Sequence, residues 1–131
     1  MKEKLEKLLE NSYAPYSNFK VSCIIKTNDN QEFLGVNVEN ASYGATICAE
    51  RNALLNAITN GYKKGDFKEV HIMNSSSKIA FPCFMCRQVL IEFLNPDTKV
   101  YLYTKDKMEE YSLEELTPHV FNEENLWEQD L

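Results

Sequence analysis

The 131-residue sequence has no apolar run long enough to span a membrane, no basic stripe, no internal repeat and no linker. The first absence excludes a transmembrane helix, which needs about 20 apolar residues in a row. The second argues against a nucleic-acid polymer as partner, because that binding is driven by Lys and Arg neutralising phosphates. Lys63 and Lys64 form only a pair, the net charge is −6, and acid gathers in the tail FNEENLWEQDL. A small neutral substrate suits such a chain better. With neither repeat nor linker, the length points to a single domain over residues 1–131. The first ten residues, MKEKLEKLLE, form a charged amphipathic pattern rather than a signal peptide, so a cytoplasmic protein is expected. Cysteine is sparse as well: Cys23, Cys48, Cys83 and Cys86. In a reducing compartment these serve as metal ligands or free thiols before they serve as disulfides.

Hydrophobic spacing orders the rest. Leu5, Leu8 and Leu9 share one face of a short helix over residues 2–12, which Pro15 closes off. Residues 19–27 and 32–39 read as two strands joined by the turn residues 28–30, a hairpin. Helical spacing over residues 48–60 ends at Gly61. A buried strand is expected over residues 69–73, a polar loop over 75–78, a helix over 83–94 behind Pro82, and a strand over 99–103. Ser112 and Glu115 match a capping box and open a short helix that stops near Pro118. The strand–helix–strand order implies a parallel pair with a right-handed crossover. The expected fold is a three-layer α/β/α sandwich around a mixed sheet of roughly five strands.

PCFMC, residues 82–86, is a C-x-x-C at a helix start. Alone it fits a redox pair, a structural zinc half-site, a catalytic zinc half-site, or two buried cysteines at chance spacing. A redox pair needs no third cysteine. A closed structural site needs a fourth ligand, and Cys23 sits inside an apolar strand, where it reads as packing. His71 alternates with Val70 and Ile72, which aims it at the opposite face, and His119 lies near the C-terminus. Cys48 is the better third ligand. Cys48 and Cys83 both start predicted helices, where the macrodipole favours a thiolate, and Cys86 lies one turn beyond Cys83. Three ligands and an open position are the catalytic form of zinc.

CAERNALLNA, residues 48–57, then explains its own charges. Three thiolates and Zn²⁺ sum to about −1, which weakens the metal as an acid. Arg51 is placed to offset that charge, and Glu50 to carry protons. Separately, each has an ordinary alternative, a solvated helix residue for Arg51 and a helix-dipole carboxylate for Glu50.

The C48-A-E50 and P82-C83-F-M-C86 pair resembles the cytidine deaminase family, whose superfamily places a zinc ligand two residues before a catalytic Glu and follows it with P-C-x-x-C. APYSNFKV (14–21), GVNVENASYG (35–44), TICAER (46–51), CRQVL (86–90) and EELTPHVF (114–121) extend the likeness over about the whole chain. Cys rather than His before A-E is similar to the small, free-nucleoside enzymes, which are typically homotetramers.

That resemblance implies one Zn²⁺ per subunit on Cys48, Cys83 and Cys86, with Glu50 catalytic. It implies that Asn37 and Glu39 bond the ribose hydroxyls, that Phe19 packs on the pyrimidine, and that Ala49 offers backbone groups to the base. Ala41, Tyr43 and Phe121 would approach a neighbouring subunit's ligand, and Gln88 would support the zinc-cysteine helix. From the residues alone, Asn37 and Glu39 fit a solvated strand edge and Phe19 fits a core aromatic.

The chain departs from the family at sites that are often small. Phe84-Met85 stand between the P-C-x-x-C cysteines, Ser22-Cys23 follow F-x-V, and His119-Val120 interrupt P-G-x-F. These changes touch pocket shape and subunit contact, not the reaction class. The expected activity is hydrolytic deamination of cytidine and 2′-deoxycytidine to the uridines and ammonia, in pyrimidine salvage. Its rivals are a deaminase of another aminopyrimidine nucleoside or nucleoside-like antibiotic, a polynucleotide deaminase, which the acidity disfavours, and a structural zinc module.

Overall fold

The computed structural model describes residues 1–126; residues 127–131, the end of the acidic tail, lie outside the described residues. Five strands form one sheet: β1 (Val21–Thr27), β2 (Glu32–Val36), β3 (Phe67–Asn74), β4 (Lys99–Tyr103) and β5 (Met108–Ser112), in the order β2-β1-β3-β4-β5. β1 pairs antiparallel with β2 and β3, β3 and β4 are parallel, and β5 returns antiparallel to β4. Helices α2 (Ala49–Thr59) and α3 (Phe84–Phe93) cover one face, and α1 (Lys2–Leu9) covers the other.

Strand alternation explains the layering, since successive side chains point to opposite faces. Cys23, Ile25, Val70, Ile72, Val100 and Leu102 pack toward α2 and α3. Ile24, Met73 and Tyr103 pack toward Leu5 of α1. Each fully buried Ile or Leu in these layers contributes about 1.5–3 kcal/mol relative to exposure. Cys23 is completely buried in the larger layer, as its strand position implied.

Three expectations shift. The return strand ends at Val36 rather than residue 39; beyond it Val38 makes isolated bridges to Tyr13 and Ile47. Helix α1 stops at Leu9, three residues before the predicted end at 12. Only four strands of the expected roughly five are located by the sequence; the fifth is β5, whose MEEYS carries two exposed acids and little strand patterning and pairs as the polar sheet edge. The capping box at Ser112 and Glu115 forms as expected and opens α4 (Leu113–Leu116).

Gly35 sets the seat of α2. A Cβ there would lie 2.4 Å from the Ala49 carbonyl oxygen and 2.5 Å from the Ala53 nitrogen. Only glycine lets β2 approach the start of that helix so closely. The Asn52 side chain adds a bond to the Val36 carbonyl at 2.7 Å, which locks the helix to the strand.

Candidate active site

Cys48 and Cys83 occupy the same place in two helices. Each is the extended residue capping the helix N-terminus, Cys48 before α2 and Cys83 before α3. Cys86 lies in the first turn of α3, and its backbone N–H donates to the Cys83 sulfur at 3.5 Å. The two helix heads bring the sulfurs of Cys48, Cys83 and Cys86 within 4.8 Å of one another. Cys48 and Cys83 sulfurs are 4.0 Å apart, far beyond a disulfide. Bonds of about 2.3 Å from a tetrahedral zinc to sulfur set sulfurs about 3.8 Å apart. The cluster therefore has the donors and the spacing to hold such an ion.

The electrostatics of the cluster favour a thiolate. A hydrogen bond from the Cys86 thiol, opposed by burial and reinforced by the Arg51 guanidinium, brings the Cys48 thiol down to about 5. Arg51 Nη2 donates to the Cys48 sulfur at 3.4 Å, and that contact holds the guanidinium charge in turn. Cys86, which gives its proton to that bond and is buried, is pushed up. Glu50 is 5 % exposed, and burial raises its carboxyl above the ordinary range.

A cavity of about 200 Å³ opens beside the sulfurs. Cys48, Ala49, Glu50 and Cys83 form one wall, and Phe19, Val21 and Asn37 form another. Asn37 is held there by bonds in three directions. Its amide donates to the Phe19 carbonyl at 2.7 Å, and its oxygen accepts from the Val21 N–H at 2.9 Å and from the Ser12 hydroxyl. Glu39 lies outside, in an adjoining groove with Tyr16, Ser17 and Tyr43; Thr46 lines both spaces. Its carboxylate accepts from the Tyr16 and Ser17 N–H groups at 3.0 and 3.1 Å and from the Ser17 hydroxyl.

Ala41, Tyr43 and Phe121 are exposed and do not line the cavity of their own chain. Gln88 does not touch the sulfurs; its Nε2 donates to the Phe121 carbonyl at 2.8 Å. Phe84 and Met85 are exposed at the α3 head and also lie outside the cavity lining. Their side chains therefore form no part of the cavity wall of the single chain. His119 adopts a φ of 56°, the left-handed region that glycine enters freely, which accounts for the glycine common at that site. His71 points to the α1 face, away from the thiols, as its alternation required.

Thr46, Asn74, Ala80 and Phe81 also line the cavity and were not singled out from the sequence. Asn74 had a legible signal, as the last residue of β3 before the polar loop. The carboxyl end of a parallel strand is where α/β sheets gather their sites.

Residues 1–104 match the family described as the cytidine and deoxycytidylate deaminase zinc-binding region. A cytidine deaminase of Mycoplasma genitalium is 41% identical over 120 residues, covering 91% of each chain. The crystal structure of a cytidine deaminase from Burkholderia pseudomallei superposes with a TM-score of 0.87 at 42% identity, covering 91% of this chain and 94% of that one. A cytidine deaminase from Mycobacterium tuberculosis superposes at 0.75 with 26% identity, covering 92% and 94%. With its paired cysteine-headed helices and these likenesses along nearly its full length, the chain belongs to the cytidine deaminase family.

Proposed function

We propose that this protein is a zinc-dependent hydrolase that converts cytidine and 2′-deoxycytidine to uridine and 2′-deoxyuridine with release of ammonia, a step of pyrimidine salvage. The observation that carries the reading is a buried carboxyl, Glu50, sharing one cavity wall with the clustered thiols at the head of α2. Cys48, Cys83 and Cys86 would hold one Zn²⁺ per subunit. When bound there, zinc supplies a Lewis acid that makes water nucleophilic near neutral pH.

Glu50 takes the proton from the attacking water as the oxygen reaches C4 of the base. It passes that proton to N3, then takes the remaining proton from the new C4 hydroxyl and delivers it to the departing amino group, so that the carbonyl forms as ammonia leaves. Its raised proton affinity suits a carboxyl that must hold a proton between steps. Phe19 lines the cavity and packs on the pyrimidine, and Ala49 offers backbone groups to it. Asn37 keeps one amide hydrogen beyond the one given to Phe19, available to a ribose hydroxyl. Glu39 remains an oriented acceptor for the sugar. Arg51 tempers the thiolate charge.

The exposure of Ala41, Tyr43 and Phe121 supports their approach to a neighbour's ligand in a homotetramer. Among the described residues no helix is long and apolar enough to cross a membrane. The reading takes residues 1–131 as one cytoplasmic domain with a free nucleoside, not a polymer, as substrate.

The test follows the loss of aminopyrimidine absorbance when the zinc-loaded protein meets cytidine. Glu50→Gln is expected to keep its zinc and to lose about 10²–10⁴-fold in turnover. Full activity in that variant removes Glu50 as proton carrier. Conversion of another nucleoside but not cytidine overturns the substrate. X-ray absorption showing sulfur at all four zinc positions supports a structural module instead. Light scattering reads the tetramer directly.

A further inference from the structure

Arg87 directly follows the third cysteine, yet it turns away from the thiols. Its Nε donates to the Pro82 carbonyl at 2.7 Å, and its Nη1 donates to the Leu116 carbonyl at 3.0 Å. The Phe84 ring centre lies 4.4 Å from the guanidinium carbon and the Phe81 ring centre 5.9 Å from it. The Phe81 ring also packs on Tyr111 of β5, with centroids 5.4 Å apart. Four residues thus meet at one cation: Phe81 and Pro82 from the loop before α3, Phe84 from its first turn and Leu116 from the end of α4. Phe81 links the group to the sheet edge through Tyr111.

The loop they hold is the one that matters to the site. Phe81, Pro82 and Cys83 line the cavity, and Cys83 is the extended N-cap of α3 (φ −63°, ψ 162°), its carbonyl accepting from the Arg87 N–H at 2.9 Å. Its sulfur is therefore placed jointly by the loop that delivers the backbone and by the Cys86 N–H that donates to it at 3.5 Å. Pro82 has no N–H, so its carbonyl is the one backbone group through which that residue can be tied. Arg87 takes that carbonyl and fastens it to α4. A planar guanidinium can make two divergent hydrogen bonds while offering its faces to aromatic rings, which an ammonium cannot. This also gives the large residue at position 84 a use, since its ring covers the cation.

We propose that Arg87 is a positioning residue for the metal loop: by joining the Pro82 and Leu116 carbonyls between the Phe81 and Phe84 rings, it fixes the Cys83 sulfur for the ion and the loop backbone for the substrate. The inference rests on the zinc-deaminase reading above and adds to it a residue that touches neither metal nor nucleoside.

The experiment uses the zinc-loaded full chain. It measures zinc transfer to a chromogenic chelator well below the unfolding temperature, together with kcat and KM on cytidine. Arg87→Lys keeps the charge and loses the fork. It is expected to release zinc at least about tenfold faster and to lower kcat about 10–100-fold, with KM changed less than about threefold, because small misplacement of a reacting group costs rate more than binding. Phe84→Ala is expected to move both readouts the same way by a smaller factor. Leu5→Ala, in the opposite core layer, lowers the unfolding temperature and leaves both readouts alone. Arg87→Lys within about twofold of the unmodified protein, or zinc release that merely follows the unfolding temperature across all variants, overturns the proposal. If Arg87→Lys fails to fold, Phe84→Ala decides, and unchanged zinc release in it has the same consequence. Unmodified protein that binds no zinc or ignores cytidine overturns the functional reading itself, and the inference with it.

Discussion

Arg51 reaches back one turn of α2 to donate from Nη2 to the Cys48 sulfur at 3.4 Å. The geometry matches the charge problem of the site. Three thiolates and a divalent ion leave about one net negative charge, which works against acidifying water. A guanidinium on a ligand sulfur draws that charge away, and the buried Nε of Arg51 has no partner among the described residues. The side chain is thus committed to the cluster rather than to local bonds. Arg51→Gln is expected to keep the fold and to lower kcat/KM on cytidine about 10–100-fold, the usual effect of removing a group that supports a metal ligand. Steady-state kinetics with zinc content measured on the same samples checks it; unchanged activity at full zinc loading contradicts it.

Gly35→Ala tests how α2 is seated. The added methyl would meet the Ala49 carbonyl oxygen at 2.4 Å, a backbone atom that cannot swing aside. The helix must then lift from β2, carrying Cys48 and Glu50 with it. The expected cost is about 1–3 kcal/mol or somewhat more in urea unfolding, as for other overpacked sites. The activity lost should exceed what the fraction unfolded explains. Gly44→Ala, where nothing lies within 4 Å of the new atom, is the matched control.

Chemistry at this site was more legible than shape. C-A-E and P-C-x-x-C announce themselves because helix starts and metal ligands are local in sequence, and both cysteine caps fall within one residue of their predicted helices. The face assignments of His71 and Cys23 follow from period-two alternation alone. The polar edge strand β5 was hidden, because an edge that faces water needs no apolar alternation. Asn37 looked like one of a solvated pair with Glu39. Its partners, Ser12, Phe19 and Val21, are distant in sequence, and burial of this kind is decided by tertiary contacts. The role of Arg87 was equally invisible, since Leu116 lies 29 residues away.

Gln88 and Phe121 are joined by one hydrogen bond, from Nε2 to the carbonyl oxygen at 2.8 Å. It fastens the exposed arm after α4 to α3. If Phe121 completes a neighbour's site, loosening the arm weakens substrate binding more than it slows chemistry. Gln88→Ala is expected to raise KM for cytidine about fivefold with kcat nearly unchanged, the equivalent of one hydrogen bond of about 1 kcal/mol. Phe121→Ala should raise KM further. An equal fall in kcat with constant KM points instead to a disturbed metal helix.

His71 provides a pH signature that is independent of the thiols. Its ring lies on the α1 face, stacked on Tyr101 at 4.6 Å, with Nδ1 against the Tyr103 hydroxyl at 2.8 Å and Nε2 against Glu69 at 2.9 Å. Burial lowers its pKa, and the Glu69 carboxylate opposes burial without overcoming it. A histidine depressed in the folded state favours folding while neutral. Its contribution is therefore complete above the ordinary histidine range, near pH 6.5, and is lost as pH falls through the folded value. Between about pH 7.5 and pH 5 the unfolding temperature of the parent should drop more steeply than that of His71→Gln, which carries no titrating ring. An NMR titration should place the His71 midpoint below the ordinary value. A midpoint above it means that the Glu69 ion pair outweighs desolvation, and the slope difference between parent and variant must then reverse.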